Sequence, residues 1–321
     1  MKLNLFASTE IAPAFAECRL CLWDVGARGG MDPSFAPFAF AVDAVGFEPD
    51  PDAFHSLSPS GGWRSEKFFE TALGGPETGS TLHIPRDPVG ASFLAHDPAI
   101  GARYGLENLF EIERRVHIPT VTMDRATVEL GVPAPNLVKL DVEGLELDIL
   151  KGGTSTLRGV VAIKLEAGFM RHRMAQPLAG DLIAFLENHG FCPVDIVDIA
   201  RWRKRPWAGD PFSVRGQPPY SRGRLTQADL IFLREPDTVT ADTAINAAMA
   251  AIGLGFFDHG LELLEAGAAD NGNEIRQAVY AASRTYGRAR ALEALRVHLS
   301  WTIQLCRSLA CGLNVPPPGK G

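Results

Sequence analysis

Short apolar runs alternate with longer segments of helical character over most of the chain. Apolar positions at helical spacing predict a helix over 177–188, which Gly190 would end. Such an alternation is typical of a mostly parallel sheet covered by helices. The runs that predict strands span residues 20–23, 42–47, 136–140 and 160–165, with a weaker run at 67–72.

Two later apolar runs, at 191–199 and 228–233, predict two more strands. The segment between them is long and polar, with several Pro, Gly and Arg residues and no helical pattern. Because no crossover helix joins these two strands, we expect them to pair antiparallel. The predicted fold class is therefore α/β, with a doubly wound and mostly parallel sheet.

The last quarter of the chain has a different composition, in which Ala, Leu and charged residues dominate and strand-like runs disappear. Apolar residues recur there at helical spacing, first over 245–256 and again over 292–299. We therefore predict one domain over 1–237 and a C-terminal α-helical extension of three or four helices over 238–321, with a disordered tail from 315. This extension is also the candidate surface for forming a homo-oligomer.

The composition narrows the class of protein. Hydrophobic residues make up 46% and charged residues 21% of the 321 residues, which is ordinary for a globular protein. The formal net charge of -7 argues against nucleic acid as a partner, because phosphate binding needs a surplus of Lys and Arg. No apolar run is long enough for a membrane span, no signal-peptide core is present, and the five cysteines form no disulfide pattern. We expect a cytoplasmic protein.

A glycine turn follows the first predicted strand, in the segment WDVGARGG. Gly26, Gly29 and Gly30 follow Asp24, and glycine lets a ligand approach the backbone closely. The next strand ends at Glu48, which lies 24 residues beyond Asp24. In doubly wound sheets an acid at about this distance binds the two hydroxyls of a ribose. The two segments together predict a nucleoside-like ligand.

The turn does not fit a dinucleotide. The fingerprint GxGxxG requires glycine where Arg28 and Met31 stand, which disfavours NAD and FAD. Asp24 would repel a pyrophosphate and would favour a cationic group, such as the ammonium of a methionine moiety.

The predicted strand at 136–140 delivers acidic residues at its carboxyl end. Asp141 follows the strand directly, and Glu143 lies two residues later. In open α/β sheets the ligand crevice lies at this end of the strands, so Asp141 should face it. Glu143 could share that role or could instead stabilise the start of the following helix.

Seven segments, in order, resemble the FkbM family of S-adenosylmethionine-dependent methyltransferases. They are WDVGARGG, VGFEPDPDAF, TALGG, LVKLDVEGLELDILKGG, VVAIKLEAGF, QPLAGDLIAFLENHGF and QADLIFLR. The resemblance covers roughly residues 18–235, and it departs from the family at Arg28, where the turn commonly has Asn. It implies a seven-stranded Rossmann-like methyltransferase sheet and S-adenosylmethionine as the cofactor.

The resemblance also assigns residues to parts of this cofactor. Asp24 and the turn glycines would hold the methionine part, Glu48 the ribose, and the Ala72-Leu73 pair the adenine. Asp141 would lie beside the transferable methyl. The predicted cofactor-binding residues are Asp24, Gly26, Ala27, Gly30, Glu48, Pro49, Ala72, Leu73 and Asp141.

The reaction that the resemblance implies is O-methylation of a hydroxyl on a sugar, a glycan or a natural product. A hydroxyl is a weak nucleophile at neutral pH, so it needs a general base or a divalent metal. The candidate catalytic residues are Asp141, Glu143, Glu166 and His172, with Asp141 first for either role. The alternatives are a methyltransferase acting on another small metabolite or on a protein, and a non-catalytic cofactor-binding or assembly module.

Overall fold

The computed structural model describes residues 2–76, 79, 81–205, 222–267 and 273–311, so the expected disordered tail lies outside the described residues. The strands are β1 (Leu20–Val25), β2 (Val42–Phe47), β3 (Ser65–Phe69), β4 (Ala72–Leu73), β5 (Thr81–Pro85), β6 (Ile112–His117), β7 (Thr120–Val121), β8 (Leu137–Leu140), β9 (Ala162–Gly168), β10 (Phe191–Trp202) and β11 (Arg224–Arg234). The helices are α1 (Ala12–Glu17), α2 (Pro51–Ser56), α3 (Pro98–Tyr104), α4 (Glu107–Phe110), α5 (Met123–Glu129), α6 (Glu146–Lys151), α7 (Ala179–Glu187), α8 (Ala241–Leu254), α9 (Phe257–Ala266) and α10 (Asn273–Cys311).

Seven strands form the central sheet in the order β10-β11-β9-β8-β1-β2-β3. The strands from β9 to β3 pair parallel, whereas β11 pairs antiparallel with both β9 and β10. The doubly wound, mostly parallel sheet and the antiparallel pair near its end are therefore confirmed. None of the described helices combines the length and the apolar character needed to cross a membrane.

The third predicted strand, at 67–72, is wrong in its bounds. The chain leaves the main sheet after β3 at Phe69 and enters β4, which pairs with β7 in a small separate sheet. An additional antiparallel pair, β5 with β6, lies between β4 and β7 in sequence. The pattern missed β6 because its sequence IERRVH is exposed or half-buried at every position and has no apolar face.

The two faces of the sheet carry separate cores. Along β1, Leu20 and Leu22 pack on one face, and Trp23 and Val25 pack on the other. This alternation follows from the two-residue repeat of a strand. On the second face the Trp23 indole Nε1 donates to the Pro133 carbonyl oxygen at 2.9 Å.

In the described part of the C-terminal extension the chain forms three helices, α8 to α10. Ala247 and Ala248 of α8 and Val279 of α10 belong to the same core as Leu20 and Leu22 of β1. The extension therefore covers one face of the central sheet. The domain boundary at 237–238 stays a prediction, because this core is shared across it.

Two buried lysines and Asp24 are neighbours on three adjacent strands of the sheet. Asp24 of β1 stands beside Lys139 of β8, which stands beside Lys164 of β9. The Lys139 Nζ lies 3.1 Å from Asp24 Oδ1 and donates to the Gly26 carbonyl oxygen at 2.9 Å. Burial raises the pKa of Asp24 to about 6, and the nearby Lys139 ammonium opposes that shift. The Lys139 ammonium thus holds the start of the glycine turn.

Lys164 holds the other end of the same turn. Its Nζ lies 2.8 Å from Asp32 Oδ2 and 3.0 Å from Asp229 Oδ2. The Asp32 backbone N–H in turn donates to Asp24 Oδ2 at 2.7 Å. The segment from Asp24 to Asp32 is therefore fixed to the sheet at both ends by buried, hydrogen-bonded ion pairs.

Replacing Lys139 should destabilise the protein strongly. Lys139→Met leaves the Asp24 carboxylate buried without its cation, a change that typically costs about 3–5 kcal/mol. The loss in free energy of unfolding, measured by urea titration, should be smaller at pH 5 than at pH 8, because protonated Asp24 carries no charge. Lys67→Met, at an exposed position of β3, is the control, with a change within about 0.5 kcal/mol. A Lys139→Met protein as stable as this control would contradict the account.

Candidate active site

A cavity of about 330 Å³ opens at the carboxyl ends of β1, β2 and β8. The glycine turn forms one side of it, and β5 with the segment that follows it, up to residue 93, covers another. Its wall combines apolar side chains with a few acidic and basic ones. The lining residues include Val25, Gly26, Arg28, Phe47, Glu48, Pro49, Ala72, Leu73, Leu82, Ser92, Phe93, Lys139, Asp141 and Glu143.

Gly26 stands where the turn passes closest to the end of β8. Its φ is +81°, and an added Cβ would lie 2.0 Å from the Asp141 carbonyl oxygen. The backbone N–H groups of Gly26 and Ala27 donate to the Phe47 carbonyl oxygen at 2.9 and 3.0 Å. Ala27 is fully buried, and Gly30 lies at the end of the turn with a φ of +113°. Neither residue is among those that line the cavity.

Glu48, the residue predicted to bind a ribose, lies in the cavity wall. It is only 4% exposed, and its Oε1 accepts a hydrogen bond from the Asp50 backbone N–H at 2.8 Å. Burial raises the pKa of Glu48. Pro49 follows it in the wall, and Arg28 forms an ion pair with Asp50 at 2.6 Å. Arg28 thus joins the turn to the segment that follows β2.

Ala72 and Leu73 form the short strand β4 and are both buried against the cavity. They form an apolar part of the wall, and the family resemblance predicts that this pair lies near the adenine. Asp24, by contrast, is fully buried beneath the turn, with its carboxylate directed to Lys139 and to the Asp32 backbone. Its position indicates that it shapes the turn from below.

Three carboxylates meet at the ends of β8 and β9. Asp141, Glu143 and Glu166 offer oxygens that all lie within 4.8 Å of one another. Burial raises the pKa of Glu166 well above its usual value, and the Glu143 and Asp141 charges raise it further. The Gln227 Nε2 donates to Glu166 Oε1 at 2.5 Å. Such a group can share a proton among its members or bind a divalent cation.

Glu143 has a left-handed backbone, with φ +60°, which is unusual for a residue other than glycine. Hydrogen bonds from both sides hold this conformation. Glu146 Oε1 accepts from the backbone N–H groups of Val142 and Gly144, each at 3.1 Å, and Ser92 Oγ donates to the Glu143 carbonyl oxygen at 2.9 Å. Glu146 therefore supplies the backbone stabilisation at this helix start, which leaves the Glu143 carboxylate in the cavity wall.

Arg173 is a residue beside the site that the sequence did not indicate. It is 5% exposed and contacts the Glu143 carboxylate, and it also donates to the Gly90 carbonyl oxygen at 3.2 Å. Burial raises the pKa of Glu143, whereas the Arg173 charge lowers it. Arg173 lies in a polar loop with no pattern that singles it out. Only the tertiary structure brings it to the carboxylates.

His172 is buried next to Arg173 and lies outside the cavity wall. Its Nδ1 lies 3.1 Å from the Met170 carbonyl oxygen, and its Nε2 lies 2.6 Å from Arg173 Nη1. Burial, followed by the Arg173 charge, lowers the pKa of His172 to about 3. Nδ1 therefore carries the proton and Nε2 accepts from Arg173. Since both ring nitrogens are engaged, this arrangement does not support the general-base role expected from the sequence.

Residues 24–192 match the family model described as the methyltransferase FkbM domain. The chain belongs to the FkbM methyltransferase family. The hexuronic acid methyltransferase AglP of Haloferax volcanii is 28% identical over 149 residues. That match covers 46% of this chain and 56% of AglP, so it spans little more than half the length of this relative. The resemblance stated from the sequence motifs is confirmed.

Solved methyltransferase structures align with this member of the FkbM family at low similarity. A methyltransferase FkbM from Methylobacillus flagellatus shares 14% identity at a TM-score of 0.34, over 67% of this chain and 45% of that one. Magnesium protoporphyrin IX methyltransferase from Synechocystis, with bound SAM, shares 10% identity at a TM-score of 0.33. This alignment covers 68% of this chain and 71% of that one.

Two glycines of the turn allow a matched test of the close approach at the cavity. Gly26 and Gly29 have almost equal φ values of +81° and +84°, but a Cβ on Gly29 would meet nothing within 4 Å. Gly29→Ala should cost only the left-handed strain, about 1–2 kcal/mol in urea unfolding. Gly26→Ala should cost clearly more and should abolish cofactor binding in calorimetric titration. Equal losses in the two variants would contradict a turn packed against β8.

Proposed function

We propose that this protein transfers a methyl group from S-adenosylmethionine to a hydroxyl of a sugar, a glycan or a natural product. The observation that carries the proposal is the convergence of Asp141, Glu143 and Glu166 beside a cavity whose wall contains Gly26 and Glu48. The cavity suits a nucleoside with a methionine tail, and the carboxylates suit a hydroxyl that must lose a proton. The match to the FkbM domain over residues 24–192 supports the same reaction class.

The cavity wall fits this cofactor part by part. Its volume of about 330 Å³ lies within the range of roughly 300–1,000 Å³ that is usual for small-molecule sites. The Glu48 carboxylate has two acceptor oxygens for the two ribose hydroxyls. Ala72 and Leu73 offer an apolar surface for the adenine, and Gly26 leaves backbone room for the methionine part.

Asp141 is best placed among the three carboxylates to accept the proton of the acceptor hydroxyl. S-adenosylmethionine supplies an electrophilic methyl group on a sulfonium. The Asp141 side chain is 45% exposed, in reach of an incoming acceptor, and Lys139 Nζ lies 3.7 Å from its Oδ2. Glu143 is occupied by Arg173, and the raised pKa of Glu166 favours its protonated form. Glu166 would then donate a hydrogen bond to the acceptor rather than remove its proton.

A divalent cation on the same three carboxylates is the second form of the mechanism. Three acids within 4.8 Å of one another repel when ionised, and a cation would relieve this repulsion. Carboxylate oxygens are the ligands that Mg²⁺ and Ca²⁺ prefer. The cation would lower the pKa of a coordinated hydroxyl and orient it.

An acceptor with several hydroxyls suits the three carboxylates, since a carboxylate can accept hydrogen bonds from neutral hydroxyls. The name of the relative AglP, a hexuronic acid methyltransferase, supports a sugar acceptor. Transfer to another small metabolite or to a protein would use the same cavity and the same acids. A non-catalytic module would bind the cofactor and transfer nothing.

Replacing Asp141 should remove methyl transfer while leaving the fold intact. Asp141→Asn keeps the shape and removes the base, so the rate should fall by about 10²–10⁴. The measurement is transfer of a labelled methyl to cell-envelope glycans and extracted metabolites. Asp148→Asn, at a half-buried acid of α6 away from the cavity, is the matched control and should keep the wild-type rate. An Asp141→Asn rate equal to the control would remove Asp141 from the mechanism.

The same assay separates the two forms of the mechanism. If a cation activates the acceptor, a chelator should stop transfer and added Mg²⁺ or Mn²⁺ should restore it. If Asp141 acts as a simple general base, the rate should be unchanged by the chelator. A protein that binds S-adenosylmethionine and labels none of these acceptors would favour the non-catalytic module.

A further inference from the structure

The second half of α10 exposes a row of apolar side chains. Leu292, Leu295, Leu299 and Ile303 are 60%, 54%, 53% and 51% exposed. At about 100° per residue these four positions fall within an arc of roughly 80° on the helix surface. We call them the leucine stripe. Stripes of this kind normally face another surface, because exposing large apolar side chains together is unfavourable.

The stripe is not a continuation of the face through which α10 docks on the protein. The first half of the helix docks through Val279, Ala282 and Tyr286, and the Tyr286 hydroxyl donates to the Leu254 carbonyl oxygen at 3.1 Å. That docked face points roughly 130° away from the centre of the stripe at 3.6 residues per turn. Among the side chains described between 287 and 303, none is buried. The helix therefore leaves the core after Tyr286 and presents a new apolar face.

The charge around the stripe is opposite in sign to that of the whole protein. Four arginines and one glutamate lie between 284 and 303, a net charge of +3 in a chain of net charge -7. Arg284, Arg288 and Arg296 are exposed and lie inside the arc of the stripe or about 20° beyond it. Glu293 lies more than about 100° from the centre of the stripe. Positive charge is thus concentrated at this apolar face.

We propose that the leucine stripe and its three flanking arginines bind the surface of an anionic phospholipid bilayer. The stripe would enter the boundary between headgroups and acyl chains, with α10 parallel to the membrane plane. The arginine stems are apolar and their guanidinium groups reach outward, so they can contact lipid phosphates from the same face. This inference concerns α10 alone and does not depend on the proposed reaction.

Two other occupants fit the same surface less well. A second copy packed stripe to stripe would bring Arg288, in the middle of the arc, into a like-charged interface, with no acid on that face between residues 284 and 303. Nucleic acid would use the arginines and leave the leucines exposed. Anionic lipid is the partner that satisfies both the apolar side chains and the positive charge.

The test is sedimentation of the full chain with phosphatidylcholine vesicles, prepared with and without phosphatidylglycerol. We expect binding to the anionic vesicles, at least about tenfold weaker binding to the neutral ones, and loss of binding in high salt. Leu295→Asn combined with Leu299→Asn should weaken binding to anionic vesicles by about tenfold or more. The matched control is Val297→Asn, since Val297 is 57% exposed on the opposite side of the helix and should leave binding unchanged.

The charge is tested in the same way. Arg288→Gln with Arg296→Gln should weaken anionic-vesicle binding, whereas Arg290→Gln, on the opposite side, should have little effect. Thermal unfolding checks that each variant is folded, which we expect because all the substituted side chains are exposed. Equal binding to neutral vesicles, no binding at all, or an equal loss in the Val297→Asn control would overturn the proposal. A homodimer in light scattering that Leu295→Asn with Leu299→Asn dissociates would assign the stripe to a second copy instead.

Discussion

The buried contact between Lys139 and Asp24 determines the shape of the site. The Lys139 ammonium lies between the Asp24 carboxylate, the Gly26 carbonyl oxygen and Asp141. A single cation therefore joins β1, the glycine turn and the end of β8. A buried charge is tolerated only where such partners are close. The turn can then pass so near β8 that only glycine fits at position 26. The same cation therefore links the stability of the sheet to the geometry of the cavity.

The site next to Lys139 is acidic, and each of its three carboxylates has a different neighbouring group. Arg173 compensates Glu143, Lys139 lies near Asp141, and Glu166 has a neutral partner in Gln227. Burial raises the pKa of Glu143 and of Glu166. The Arg173 charge lowers the pKa of Glu143, whereas the Glu143 and Asp141 charges raise the pKa of Glu166. Unequal environments of this kind assign different roles to acids in one active site. The strained backbone of Glu143 is held by neighbouring hydrogen bonds, and such strain is common where a side chain must point in one direction.

The sequence could predict what depends on local pattern. Strand alternation predicted the sheet, and the fixed distance from Asp24 to Glu48 predicted an acid in the cavity wall. It could not predict the direction of the Asp24 carboxylate, because a strand residue at the end of a sheet can face ligand or core. Arg173 and the strand β6 were missed for a related reason. Each lies in a largely polar stretch of sequence, and only contacts between distant segments bring Arg173 to Glu143 and pair β6 with β5.

We propose that the cavity beside Gly26 binds S-adenosylmethionine, with Glu48 at the ribose. Titration calorimetry measures this binding, with NAD as the comparison ligand. We expect S-adenosylmethionine to bind and NAD not to bind. We also expect affinity lowered by at least about tenfold in Glu48→Ala, a loss of roughly 1.4 kcal/mol, with no change in the exposed control Glu70→Ala. Tight NAD binding without S-adenosylmethionine binding, or equal affinities in the two variants, would contradict this proposal.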